Sequence, residues 1–253
     1  MKLRVLGASG GEGIGRRPSA FLVDDRMLVD AGTVTGVLGI AAQRAIEDVL
    51  LSHSHLDHLA GLAFLTESLA FGDARDPLIV ASIEPVVEAV RSAVFNDVLW
   101  PDFSRIPNAT APVMSYRTLL ERVEQRVGDW WVIPVAVNHT VPAAGFVVHD
   151  GSRGFVYSGD TGPTEALWKI ARDLPAIRAV ILECAFPNRF TALAGAARHM
   201  TPHLIRREID KLPAGVPVWI FHVKPQFHEE TAEELSRLDG PVTLLEQDRT
   251  YVL

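Results

Sequence analysis

The run His53-Ser54-His55-Leu56-Asp57-His58 constrains this chain more than any other feature. It places four candidate metal ligands within six residues, directly after Asp48-Val49-Leu50-Leu51-Ser52, an apolar segment that reads as a buried strand. Imidazole nitrogen and carboxylate oxygen are donors that divalent transition metals such as zinc select. Alternate residues at a strand end point the same way, so His53 and His55 can reach one metal. The turn that follows re-aims Asp57 and His58 at a second. Three of the chain's nine histidines stand in this run, so a turn of merely solvated histidines is a poor account of it.

The rest of the chain supplies a scaffold of matching kind. Its 253 residues, 48% of them hydrophobic, suffice for one large α/β domain, and no apolar run reaches the 18 residues of a membrane-spanning helix. The N-terminus turns glycine-rich before a signal-peptide core could form, and Cys184 is the single cysteine, so a reducing cytoplasm is the expected setting. The net charge of −7 and the scattered basic residues argue against a nucleic-acid partner, while a small anionic substrate fits if bound metals supply the positive field.

Periodicity predicts alternating strands and helices. Strands are expected over Lys2–Leu6, Ala20–Val23, Met27–Asp30, Leu78–Ala81, Trp131–Val137, Gly145–His149, Phe155–Ser158, Ala179–Glu183, Val216–Phe221 and Val242–Leu245. Helices are expected over Val37–Ile46, over Leu59–Leu69, from Pro85, from Pro163, over Pro202–Leu212 and over Glu229–Leu238. Trp100–Pro112 reads as loop. No linker divides residues 1–253, so two packed mixed sheets with helices outside, in a single domain, is the expected α/β architecture.

Three further ligand candidates stand where strands give way to loops: His139, Asp160 within Ser158-Gly159-Asp160-Thr161-Gly162, and His222 after Val218-Trp219-Ile220-Phe221. With the first cluster they make up the ligands of two adjacent metals. The pattern His-x-His-x-Asp-His, a distant His, Gly-Asp-Thr and a final His resembles the metallo-β-lactamase superfamily of dinuclear hydrolases. The resemblance implies an αββα sandwich in which His53, His55 and His139 hold one metal, Asp57, His58 and His222 the other, and Asp160 bridges them.

Within that superfamily the chain is similar to the class II cyclic-nucleotide phosphodiesterases. The matching segments are His53–Leu62, Ser158–Pro163, Ile181–Asn188, His199–Pro202 and Phe221–Pro225, together with Leu6–Gly11 and Val29–Gly32. Two positions depart from that signature, Ala63 for a larger aliphatic and Thr66 for Ser; both lie beyond the ligands and bear on substrate class.

Two metals roughly 3.5–4 Å apart generate hydroxide from a bridging water at neutral pH and hold a phosphate for attack. The expected reaction is hydrolysis of cAMP or cGMP to the 5′-monophosphate. Asp57 and His199 are the catalytic candidates, His199 as proton donor to the ribose 3′ oxygen. It precedes Thr201-Pro202, a helix start that favours anions. Glu183 is expected to orient a ligand, and Asn188 and Lys224 to touch substrate. Cys184 reads as a buried small residue, and His149, His203 and His228 stand outside the ligand set. Zinc is the first expectation, with manganese or iron compatible, and a homodimer is the expected state. A tRNA 3′-processing nuclease shares the metal motifs, but no basic protruding arm is visible. Lactone or thioester hydrolysis uses the same hydroxide, and a non-catalytic metal-binding or ligand-sensing protein stands as a further alternative.

Overall fold

Two seven-stranded sheets carry the chain, and the first grows outward from a tight hairpin. The computed structural model describes residues 1–72 and 75–253. Strands β2 (Ala20–Val23) and β3 (Met27–Ala31) are joined through Asp24 and Asp25, both at positive φ (45° and 61°), the conformation whose twist matches paired antiparallel strands. Lys2 donates its backbone N–H to Asp24 Oδ1 at 2.7 Å, which helps dock β1 (Lys2–Gly7) beside β2. Parallel strands β4 (Asp48–Leu50), β5 (Leu78–Ile83) and β6 (Met114–Leu119) extend the sheet from β3, and β14 (Thr250–Val252) closes its other edge on β1.

The second sheet has the same construction. Antiparallel β7 (Gln125–Val127), β8 (Trp130–Ala136) and β9 (Ala144–His149) lead to β10 (Gly154–Tyr157), beside which β11 (Ile177–Glu183), β12 (Val218–Phe221) and β13 (Val242–Leu244) run parallel. Every residue of β2, β3, β9, β10 and β12 is buried, as expected for strands covered on both faces. Phe21 of one sheet meets Tyr157 and Phe221 of the other with ring centroids 5.6 and 5.5 Å apart.

Outside the first sheet lie α1 (Ile40–Arg44), α2 (Leu56–Ala70) and α3 (Glu84–Ala93); α4 (Ala166–Arg172), α5 (Thr191–Ala197), α6 (Pro202–Glu208) and α7 (His228–Ser236) belong to the second half. Helix α2 turns Leu59, Leu62, Leu65 and Leu69 inward. Leu167, Trp168 and Ala171 of α4 and Ile205 of α6 join the core beneath the second sheet.

The expected strands are all present, and so is each expected helix, though the first is much shorter. Instead of Val37–Ile46, α1 starts only after Gly39, which forms its N-cap without a side-chain hydrogen bond. Strands β6, β7 and β14 and helix α5 have no counterpart in the sequence reading. The strands lie at sheet edges and mix polar with apolar residues, and α5 buries Ala194 alone. Among the described residues, no helix is long and apolar enough to cross a membrane.

Asp48 opens β4 almost buried, and its carboxyl is pushed up to about 6 by burial first and then by the neighbouring Glu47 carboxylate. Its ordinary value is 3.8, so the folded chain binds the extra proton, and stability falls as pH rises from about 4 through 6. Asp48→Asn is expected to remove a penalty of about 1 kcal/mol, once solvent screening is allowed for, and to raise the Tm at pH 8 by roughly 2–4 °C. Thermal melts at pH 4 should show no gain; an equal gain at both pH values would contradict the assignment.

Candidate metal centre

The parallel strands of both sheets end on one edge, and the candidate ligands follow them there. After β4 the chain passes through His53, then His55, which is the N-cap of α2 with extended backbone (φ −71°, ψ 145°). Asp57 and His58 fall in the first turn of α2, so the helix start re-aims them away from His55. His139 follows β8, Asp160 follows β10 and His222 follows β12. His222 sits at φ 71°, a conformation that costs a non-glycine residue about 1 kcal/mol and is held here by its surroundings. Its N–H donates to the Ala8 carbonyl at 2.7 Å, and a side chain at Gly10 would collide with its carbonyl and ring. The glycine-rich segment is thus a close-packed support for the last ligand strand.

Three groups of candidate ligands result, two that match the expected pair of positions and a third formed by Asp160, His199 and His222. His53, His55, His139 and Asp160 present atoms within 4.8 Å of one another, and so do Asp57, His58 and His222. Asp160 stands between them: Oδ2 lies 3.6 Å from His53 Nε2, 4.0 Å from His139 Nε2 and 3.1 Å from His222 Nε2, while Oδ1 lies 3.2 Å from His58 Nε2. His222 Nε2 is also 3.3 Å from Asp57 Oδ2, and His139 Nε2 faces His55 Nδ1 at 3.3 Å.

These atoms fit divalent cations. Among the described residues, His53 Nε2, His58 Nε2 and Asp160 Oδ1 are buried without a hydrogen-bond partner, a costly state that coordination relieves. Burial, and then the neighbouring His58, push His53 well below the ordinary imidazole value; burial likewise lowers His55, and takes His139 to about 4. All three offer neutral lone pairs. Burial alone would raise the Asp160 carboxyl, but His222 and His58 hold it well below the usual carboxylate range.

A second layer fixes the ligands. His139 Nδ1 faces the Arg198 carbonyl at 3.4 Å, and the Arg198 guanidinium returns a hydrogen bond to the His139 carbonyl. His58 Nδ1 donates to Asp30 Oδ2 at 2.6 Å. His199 stacks on His222 with centroids 5.3 Å apart and donates Nδ1–H to Glu183 Oε1 at 2.7 Å. That carboxylate also accepts from the backbone N–H groups of Thr161 and Met200. Burial disfavours a charge on His199, but Glu183 outweighs it and raises its pKa. Lys224 Nζ lies 3.6 Å from Asp57 Oδ2. Asn188 turns its Oδ1 to the His203 N–H at 2.7 Å, so that oxygen braces the start of α6.

Every histidine expected in or beside the site is there. Elsewhere, His149 pairs with Glu124, His228 with Arg16, and the exposed His203 lies on α6. Cys184 is buried. The sequence reading gave no role to Asp30, Ser52, Tyr157 or Arg198. Asp30 carried a signal, as the one polar residue in the otherwise apolar strand Met27–Ala31.

Two mixed sheets with helices outside and a histidine–aspartate cluster on one edge define an αββα fold with a candidate metal centre. The chain belongs to the metallo-β-lactamase superfamily, whose family model matches residues 14–208. A curated relative, "Probable 3′,5′-cyclic-nucleotide phosphodiesterase" of Yersinia pestis, is 27% identical over 221 residues, covering 76% of this chain and 61% of that protein. The chain therefore spans about three-fifths of that relative's length. Among solved structures, the metallo-β-lactamase fold protein YhfI from Bacillus subtilis superposes with a TM-score of 0.80 at 19% identity, covering 99% of each chain. Unliganded yeast PDE1 does so with a TM-score of 0.79 at 18% identity, covering 100% of this chain and 99% of that one. At these identities the structural likeness speaks for the fold.

Zinc in about hundredfold excess over its Kd is expected to stabilise the metal-free protein by about 2.7 kcal/mol, raising its Tm by roughly 5–10 °C. Asp160→Asn should abolish most of that rise in a thermal-shift assay. A full rise in the variant would remove Asp160 from the ligand set.

Proposed function

We propose that the chain is a dinuclear-metal phosphodiesterase that hydrolyses 3′,5′-cyclic nucleotides to 5′-monophosphates. The observation that carries this reading is the Glu183–His199 pair lying against the ligand cluster. A cyclic nucleotide has a poor leaving group, the ribose 3′ oxygen, which needs a proton as the P–O bond breaks. His199, buried, held by Glu183 and biased toward its charged form, is built to give one. The relative from Yersinia pestis supports the same substrate class.

In this reading His53, His55 and His139 hold one divalent ion, Asp57, His58 and His222 the other, and Asp160 lies between. The donor set suits zinc first and is compatible with manganese or iron. Bound ions supply an activated water and neutralise phosphate charge. Asp57 Oδ2, 3.3 Å from His222 Nε2, would share the second ion with that ring. Lys224, at the rim beside Asp57, meets a phosphate oxygen as a point charge. A cytoplasmic setting and a homodimer complete the proposal.

The experiment is turnover of cAMP and cGMP by metal-replete protein, beside bis-p-nitrophenyl phosphate, whose leaving group needs no proton. His55→Ala or a chelator should abolish all three activities. His199→Ala should lower kcat for the cyclic nucleotides about 10²–10⁴-fold and spare the activated diester, with metal content unchanged. Cleavage of the activated diester alone by the wild type would redirect the substrate search to RNA ends and other esters.

A further inference from the structure

A cavity of about 360 Å³ opens beside the ligand cluster, within the size range of small-molecule sites. His139 lines it. Ile83 and Pro85 at the junction of β5 and α3, with Val141 and Pro142 between β8 and β9, give it apolar walls. Its charged groups are Glu121, just past the end of β6, and Arg198.

Both charged groups have capacity to spare. Arg198 sits at φ 55°, a backbone that glycine adopts without strain and arginine does not. What arginine brings at that cost is a guanidinium held in place. One Nη1–H goes to the His139 carbonyl, and the other N–H groups make no hydrogen bond among the described residues. The exposed Glu121 carboxylate has neither hydrogen bond nor ion pair there. The two side chains thus line one cavity without pairing. Together they have the chemistry of a guanine site. Guanine O6 and N7 accept side by side, and the arginine fork donates to that pair. Guanine N1–H and N2–H are adjacent donors, and a carboxylate accepts from both. Adenine reverses each contact: its amino group meets the guanidinium, and its bare N1 lone pair meets the carboxylate.

We propose that this cavity is a purine subsite in which Arg198 and Glu121 read guanine, so that cGMP is preferred to cAMP. The proposal rests on the cyclic-nucleotide reading above. His139 belongs both to the ligand cluster and to the cavity wall. A nucleotide whose phosphate lies at the cluster therefore reaches the cavity with its base, across the width of its own ribose. The apolar walls take the faces of the ring, and the two charged groups take its edge.

Glu121 is the position to change, because it is exposed and bonds to no other described residue. Glutamine keeps its shape but offers one acceptor and one donor, the pattern that adenine N6–H and N1 complement. In kcat/KM, wild type should favour cGMP over cAMP by about 10–100-fold. Glu121→Gln should lower that ratio by a similar factor, cGMP losing and cAMP gaining. Calorimetry with the products 5′-GMP and 5′-AMP should show the same change in relative Kd without turnover. Equal use of the two substrates by wild type, a preference for cAMP, or an unmoved ratio in Glu121→Gln would overturn the subsite and leave the phosphodiesterase reading standing. Turnover of neither cyclic nucleotide by metal-replete protein would remove that reading and the subsite with it.

Discussion

Keeping six imidazoles and four carboxylates together, mostly out of water, is the constraint on which the rest of the structure depends. Isolated, each such group would cost several kcal/mol to bury. The chain meets the demand by ending β3, β4, β8, β10, β11 and β12 on one edge, so that Asp30, His53, His139, Asp160, Glu183 and His222 arrive side by side. Asp30 and Glu183 are then enclosed by donors, and the imidazoles lie edge to face, tilted or stacked, with centroids 4.2–5.3 Å apart. Apolar strands buried on both faces keep that edge dry and rigid. Polar groups held this way need little rearrangement to receive an ion.

The legibility of this arrangement in the sequence follows from how local each signal is. His53, His55, Asp57 and His58 are readable because one strand end and one helix start place all four. His139, Asp160 and His222 are each ordinary alone and become readable as a set, since each follows an apolar strand. Asp30, Ser52 and Tyr157 are different. Tyr157 reaches Asp30 across 127 residues of chain and from the other sheet, and no local pattern encodes that meeting. The edge strands β6 and β14 escape for another reason: paired on one side only, they tolerate Arg117 and Thr250 where a central strand would carry aliphatics.

Around the centre the chain distinguishes two kinds of wall. One is a backbone seam, in which Ala8 and Gly10 bond to His222 and Val223 and leave no room for a side chain. The other is aromatic: Phe186 lies 5.7 Å from the His199 ring and is backed by Phe190 and Phe227, with the Arg189 guanidinium 4.0 Å above Phe190. The seam fixes His222, while the aromatic group packs against His199. Both restrict rotation of the His222 and His199 rings.

The seam between Ala8 and His222 also sets a schedule. A chain made from its N-terminus exposes the first ligand run long before residue 222 exists, and further ties such as Arg16 to His228 span 212 residues. Until those late segments arrive, the first histidines have neither their last partners nor the support that aims them. Loops of that length close slowly, so the centre is among the last things to form. The growing polypeptide therefore carries an incomplete donor cluster until residue 222 has been made.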